Sequence, residues 1–380
     1  MKNKKIVKLW LLIVSIFLSL SLLINYIVNP YDIYNNKIVD LNKIKKHEKI
    51  RLVKAIKIKE LKPKSIILGT SRAAYGFNPK HKYFKKPSYN SAIPGGTIYE
   101  NLLYLKEAIK HGKLENVLLV LDFRMFNAFQ QKKINDIETY FHDDKLKYNY
   151  LLSLDQLFDS ISTIKAKAKA KTIKIYTDDG FRKENITKKK RKNQYKFMLK
   201  DEAYYYKNYP VNNIYKDTKR NSFEDFNEVL LLVKKYDLNL TIIFGPSHIR
   251  LWEAFDYYLD YNLWLKWKKD IVSKVSAVNN IYNKKISIFD FSIYNQYTDE
   301  YIPNSNKKMK YYLDSNHYNE NLGKLVLDYI NNDFYEENFA VKLNQNNIDD
   351  HLKKLKKDRD KFIDIEKYKK SIDTFIKNDK

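Results

Sequence analysis

Cysteine is absent from the 380 residues, which excludes disulfides, thiol nucleophiles and thiolate metal sites. It leaves the compartment open, because exported proteins without disulfides are common. Neither an H-E-x-x-H helix nor an acidic calcium loop occurs, and most of the seven histidines are scattered, so no metal and no other cofactor is expected. No internal repeat is evident. Acidic residues are the minority, 45 against 71 Lys and Arg, and the formal charge of +26 implies an anionic neighbour. The sequence carries no recognition helix or RNA motif, so nucleic acid is not expected as a partner. Apolar residues make up 44%, enough for a sizeable core in one large domain or two smaller ones.

Residues 1–8 are basic, and 9–28 form an apolar run long enough to cross the hydrocarbon core as a helix. Asn25-Tyr26-Ile27-Val28-Asn29-Pro30 follows it in place of an A-x-A-like cleavage site. The run therefore reads as a transmembrane anchor, with residues 1–8 cytoplasmic and the bulk of the chain outside the cell membrane. Residues 29–63 read as a linker with one helix at 48–61. A βα rhythm then begins. Apolar runs at 65–68, 117–121, 240–244 and 286–291 predict strands, and a shorter one is placed at 89–93. Thr97 and Glu100 stand at capping-box spacing ahead of a helix at 98–110, Ser222 caps another to 236, and Asn319 caps one at 320–330. A single long helix is expected over 251–278. The rhythm lapses between about 130 and 221, where a basic insertion with Lys188 to Lys192 at its densest reads as a solvated helical face and loop in preference to an anion-binding lid. Residues 336–380 read as a mixed-charge tail, either amphipathic helix or a loosely attached appendage.

Polar groups gather where strands end. Lys64 to Gly76 delivers Ser71 into a Gly69-Thr70-Ser71 turn, Pro94-Gly95-Gly96 follows the second strand, and Asp314-Ser315-Asn316-His317 precedes the last helix of the domain. A serine hydroxyl attacks only when a base takes its proton, and a carboxylate fixes that base's tautomer. Asp-x-x-His supplies both from one turn. Backbone amides beside a glycine offer donors for a developing oxyanion.

The order of these blocks resembles the SGNH (GDSL-type) hydrolase family. The resemblance covers about residues 64–330 outside the insertion. More narrowly, Gly-Thr-Ser-Arg, Tyr-Asn-Ser-Ala-Ile-Pro-Gly-Gly and Gly-Pro-Ser-His-Ile-Arg look like its membrane-tethered branch, related to alginate O-acetyltransferases and D-alanyl-transfer proteins of cell envelopes. It implies an α/β fold, a flavodoxin-like three-layer α/β/α domain over residues 64–335. It also implies acyl transfer or ester hydrolysis on a cell-surface glycan or anionic polymer, with a polytopic membrane partner supplying the acyl group. Ser71, Asp314 and His317 are then catalytic. The oxyanion would be held by the Ser71 and Gly95 amides, with Asn127 or Arg124 standing where the family has Gly-x-Asn-Asp, or by the two amides alone. Arg72, Arg124, His248 and Arg250 are candidates for substrate binding, His248 being equally a turn residue, and Asp122 reads as a strand-end partner of Arg72. The altered third block keeps a second expectation open: a non-catalytic scaffold or glycan-binding protein on a degenerate version of the fold.

Overall fold

A computed structural model describes every residue except 1, 37, 40, 42–43, 129–136, 143–144, 168–174, 184–192, 216–218, 282–285, 304–306 and 380. Strands β1 (Ser65–Leu68), β2 (Ser88–Asn90), β3 (Asn116–Leu121), β4 (Asn239–Phe244), β5 (Ser287–Asp290) and β6 (Val341–Leu343) form one sheet. Its order is β2-β1-β3-β4-β5-β6, parallel except for β6, which runs antiparallel to β5. The helices are α1 (Lys2–Val28), α2 (Ile50–Leu61), α3 (Ser71–Gly76), α4 (Ile98–His111), α5 (Thr139–His142), α6 (Leu146–Leu151) and α7 (Leu154–Lys167). They continue with α8 (Gln194–Tyr205), α9 (Ser222–Lys235), α10 (Ile249–Tyr258), α11 (Tyr261–Ile281), α12 (Glu320–Ile330), α13 (Ile348–Phe362) and α14 (Ile365–Asn378).

The continuous apolar runs are explained by a sheet covered on both faces. Ile66, Leu68, Val117, Leu119, Leu121, Ile242 and Phe244 point into one core with α4, α9 and α11. Their neighbours Ile67, Leu118, Val120 and Ile243 point into the other, with α3 and α12. Because β2 lies on one side of β1 and β3 on the other, the chain reverses direction across the sheet between β1 and β3, the place where such sheets hold ligands beyond their carboxyl ends.

Several expectations need correction. The helix over 251–278 is two, α10 and α11, because Asp256 and Asp260 turn the chain, their carboxylates accepting from the Tyr261 and Asn262 amides (3.1 and 2.8 Å). Asn221, not Ser222, caps α9. The linker is folded: Tyr31, Ile33 and Tyr34 bury against Ile50, Leu52, Val53 and Ile56 of α2 and against Tyr176. Of the two readings of the tail, amphipathic helix holds, in α13 and α14, and loose attachment does not, with β6 in the sheet and Tyr368, Ile372 and Phe375 of α14 in the main core. The Lys188 to Lys192 block lies outside the described residues. Helix α1 is long and apolar enough to cross a membrane.

Candidate active site

The Gly69-Thr70-Ser71 turn is shaped by its glycine. Gly69 has φ +149°, and a Cβ there would meet Ala73 Cβ at 2.8 Å and the Val120 carbonyl at 2.9 Å, so only glycine lets β1 turn this tightly into α3. Asn101 of α4, fully buried, accepts from the Gly69 amide (2.7 Å) and donates to the Thr97 carbonyl (2.7 Å). Thr70 donates to Asp122 at the end of β3 (2.7 Å). Ser71 thus opens α3 at the switch point, half-buried.

His317 arrives from the other side. Its Nε2 is 2.8 Å from Ser71 Oγ, and its Nδ1 is 2.9 Å from both Asp314 oxygens. Asp314 also accepts from the amides of Asn316 (2.9 Å) and His317 (2.7 Å), closing the turn on itself. An ionised carboxylate only accepts, so Nδ1 carries the proton, Nε2 is the acceptor, and Ser71 donates to it. Burial raises the Asp314 carboxyl, but the His317 ring and the two amides outweigh it and hold it below the usual range. The three side chains form a continuous hydrogen-bonded chain from hydroxyl through imidazole to carboxylate.

Arg72 braces the same turn. Buried, it donates from Nε to Asn316 Oδ1 (2.8 Å) and lies 3.7 Å from Asp122, the pairing expected from the sequence. Its contacts make it an organiser that links the strand-end carboxylate to the Asp-x-x-His turn. The Gly95 turn is joined to the Ser71 turn through the Ile93 amide, which donates to the Gly69 carbonyl (3.2 Å). Gly95 itself is exposed at φ +60°, while the Gly96 amide is committed to Ile93 (3.1 Å).

Four other expected site residues are held elsewhere. Asn127 donates to the Pro210 carbonyl (2.7 Å), because a 3-10 turn at Phe123–Phe126 carries it towards the insertion. Arg124 stacks on Tyr205 and Tyr209, 4.5 and 5.6 Å from the ring centres. Arg250 forms a bidentate pair with buried Glu202 of α8 (2.7–3.1 Å), lying over Tyr368 of α14. Glu202 in turn accepts from Ser315, inside the Asp-x-x-His turn, so Arg250 steadies that turn from behind. His248 is 1% exposed, accepts from the Arg250 amide at Nδ1 (3.3 Å) and sits 2.9 Å from the Glu300 carbonyl at Nε2, both nitrogens being used within the fold.

Burial, with Arg250's charge adding to it, pushes the His248 imidazole down to about 4 against an ordinary 6.5. The unfolded chain binds that proton near pH 6.5 and the folded one does not until about 4, so stability is lost as the pH falls through this window. Between pH 7 and 4.5 the native chain should lose about 2–3 kcal/mol more than a His248→Gln variant, read from urea midpoints at the two pH values. Equal losses would show that His248 is not held neutral.

Two neighbours escaped sequence reasoning. Tyr75, one turn after Ser71, meets the His317 ring edge-on at 5.3 Å, and Arg182 of the insertion lies over Tyr75 at 4.4 Å. The Arg182 amide also donates to the Ala74 carbonyl (2.9 Å), which places a cation beside the relay. Only the i+4 spacing from Ser71 to Tyr75 hinted at this, and nothing in the sequence pointed to Arg182. Among the described residues no group of three His, Cys, Asp or Glu side chains is arranged to hold a metal ion. No protein-family model and no curated protein matches the chain.

Proposed function

We propose that the protein is a membrane-anchored serine acyltransferase or esterase that acts on an acyl ester, O-acetyl in the first instance, of a cell-envelope glycan. The observation that carries this reading is the unbroken Ser71–His317–Asp314 relay, 2.8 Å and 2.9 Å at its two joints. A degenerate binding fold has no need to hold its serine in reach of an oriented imidazole, so the relay favours catalysis over the scaffold reading. His317 takes the Ser71 proton as Oγ bonds to the acyl carbon, and the ester C–O bond then breaks with that proton passing to the leaving oxygen. A sugar hydroxyl or water, deprotonated in its turn by His317, releases the acyl group from Ser71. With Asn127 and Arg124 held elsewhere, the amides of Ser71, first in α3 and without an acceptor in its helix, and of Gly95 are the donors assigned to the oxyanion. Arg182, held over Tyr75, offers charge to an anionic sugar.

Retention of α1 as an anchor has support from its far end, where Asn25 is fully buried and donates to the Leu151 and Ser153 carbonyls (2.9 and 3.1 Å). A segment meant for removal does not supply buried contacts to the folded domain. The test is acyl-enzyme trapping: the full chain is treated with an activated acetyl ester, quenched in acid and digested, and the Ser71 peptide should carry one acetyl group. Adding an acetylated oligosaccharide's free counterpart then separates transfer from hydrolysis by product. A folded protein whose Ser71 peptide stays unmodified would overturn the reading.

A further inference from the structure

We propose that α7 is immersed in the bilayer beside α1, so that the protein meets lipid through two helices. This rests on α1 being a membrane helix and not on the acyl chemistry. Helix α7 is inside-out for a helix in water. Gln156, Ser160 and Thr163, on one face, are buried at 0–1% exposure, whereas Leu154, Phe158, Ile161 and Ile164, on the opposite face, are 38–65% exposed. In water the apolar stripe of an amphipathic helix turns to the core and the polar stripe to solvent.

The polar face is spent on α1. Ser160 donates to Asn25 Oδ1 (3.0 Å), Gln156 donates to the Asn25 carbonyl (3.3 Å), and Asn25 donates to the Ser153 carbonyl at the head of α7. Ser21, one turn before Asn25 on α1, is buried too. Small and polar side chains between helices, with apolar ones outward, are how helices pair when the surroundings are hydrocarbon. The apolar surface of α7 therefore continues that of α1, whose residues from Ile6 to Leu23 are exposed at 45–65% wherever they are large and apolar and not turned to α7. Leu152 and Tyr148 of the preceding segment, 59% and 57% exposed, extend the same band. Acyl chains fit this continuous surface. Lys165 shares the arc, and its stem is long enough to bring the ammonium to the headgroups.

The absence of cysteine makes the test direct. Single-cysteine variants Phe158→Cys and Ile161→Cys of the full chain are spin-labelled and reconstituted in phosphatidylglycerol–phosphatidylcholine vesicles, with Phe17→Cys on α1 and Lys235→Cys on α9 as references. Collision with oxygen, which concentrates in lipid, is compared with collision with a water-soluble nickel chelate. Labels at 158 and 161 should show an oxygen-to-nickel ratio at least about threefold above that at 235, approaching that at 17. A water-like ratio at 158 and 161 with a lipid-like one at 17 overturns the inference and leaves the anchor standing. Water-like ratios at all of them overturn both. Shielding from both reagents at 158 and 161 means that a second copy covers the stripe, which also overturns it.

Discussion

Replacing Ser71 by alanine is expected to lower acyl turnover by about 10³-fold or more while the folded protein persists. Among the described residues its hydroxyl bonds to His317, and both residues are only half-buried, so water can take the place of the lost partner. Alanine is a good helix former at this position, so the thermal midpoint should barely move. Rates with an activated acetyl ester, read beside a melting curve, check both halves. A variant that folds and still turns over would remove Ser71 from the chemistry and with it the whole relay, since His317 and Asp314 face no other nucleophile in the contacts described. A variant that unfolds would mean that the Ser71–His317 bond is structural.

Gly323→Ala is expected to cost at least about 4 kcal/mol of stability and to depress activity in whatever remains folded. Helices α3 and α12 touch through glycine: a Cβ on Gly323 would lie 1.7 Å from the Gly76 carbonyl oxygen, and one on Gly76 would lie 2.1 Å from the Tyr318 ring. The obstacle is backbone, which cannot swing aside, so the helices must separate. Ser71 stands at the start of α3 and His317 just ahead of α12, so a separation at this crossing opens the 2.8 Å joint between them. Alanine normally stabilises a helix by about 1 kcal/mol over glycine, which makes the sign of the change decisive. Urea unfolding of the variant reads the first effect, and its ester turnover per folded molecule the second. A neutral or stabilising substitution would show that the two helices do not meet.

What could be read from the sequence was what is local. The run Val117 to Leu121 is apolar at every position because both faces of β3 are covered, and Thr97 with Glu100 does form the capping box that opens α4. Ser71, Asp314 and His317 stood out because one short turn carries the base with its carboxylate and another carries the serine. The misreadings concern partners far away in the chain. His248 and Arg250 look like ligands at a strand exit until Glu202, 48 residues earlier and in the insertion, takes up the guanidinium. Asn127 looks like an oxyanion donor until Pro210, 83 residues on, accepts its amide hydrogen. Gly76 and Gly323 carry no local signal that they face each other. The polar face of α7 reads as solvated because the sequence does not disclose that Asn25 of an apolar helix is its partner.

The relay also has an order in time. A ribosome makes Ser71 early, and 246 residues must follow before His317 exists to activate it. Even then the turn bearing His317 lacks its backing, since Ser315 leans on Glu202, and Glu202 accepts from Tyr368 of α14 (3.3 Å), which follows His317 in the chain. A nascent chain therefore carries an unarmed serine until His317 has been made, and the support for its base is complete only once α14 has followed.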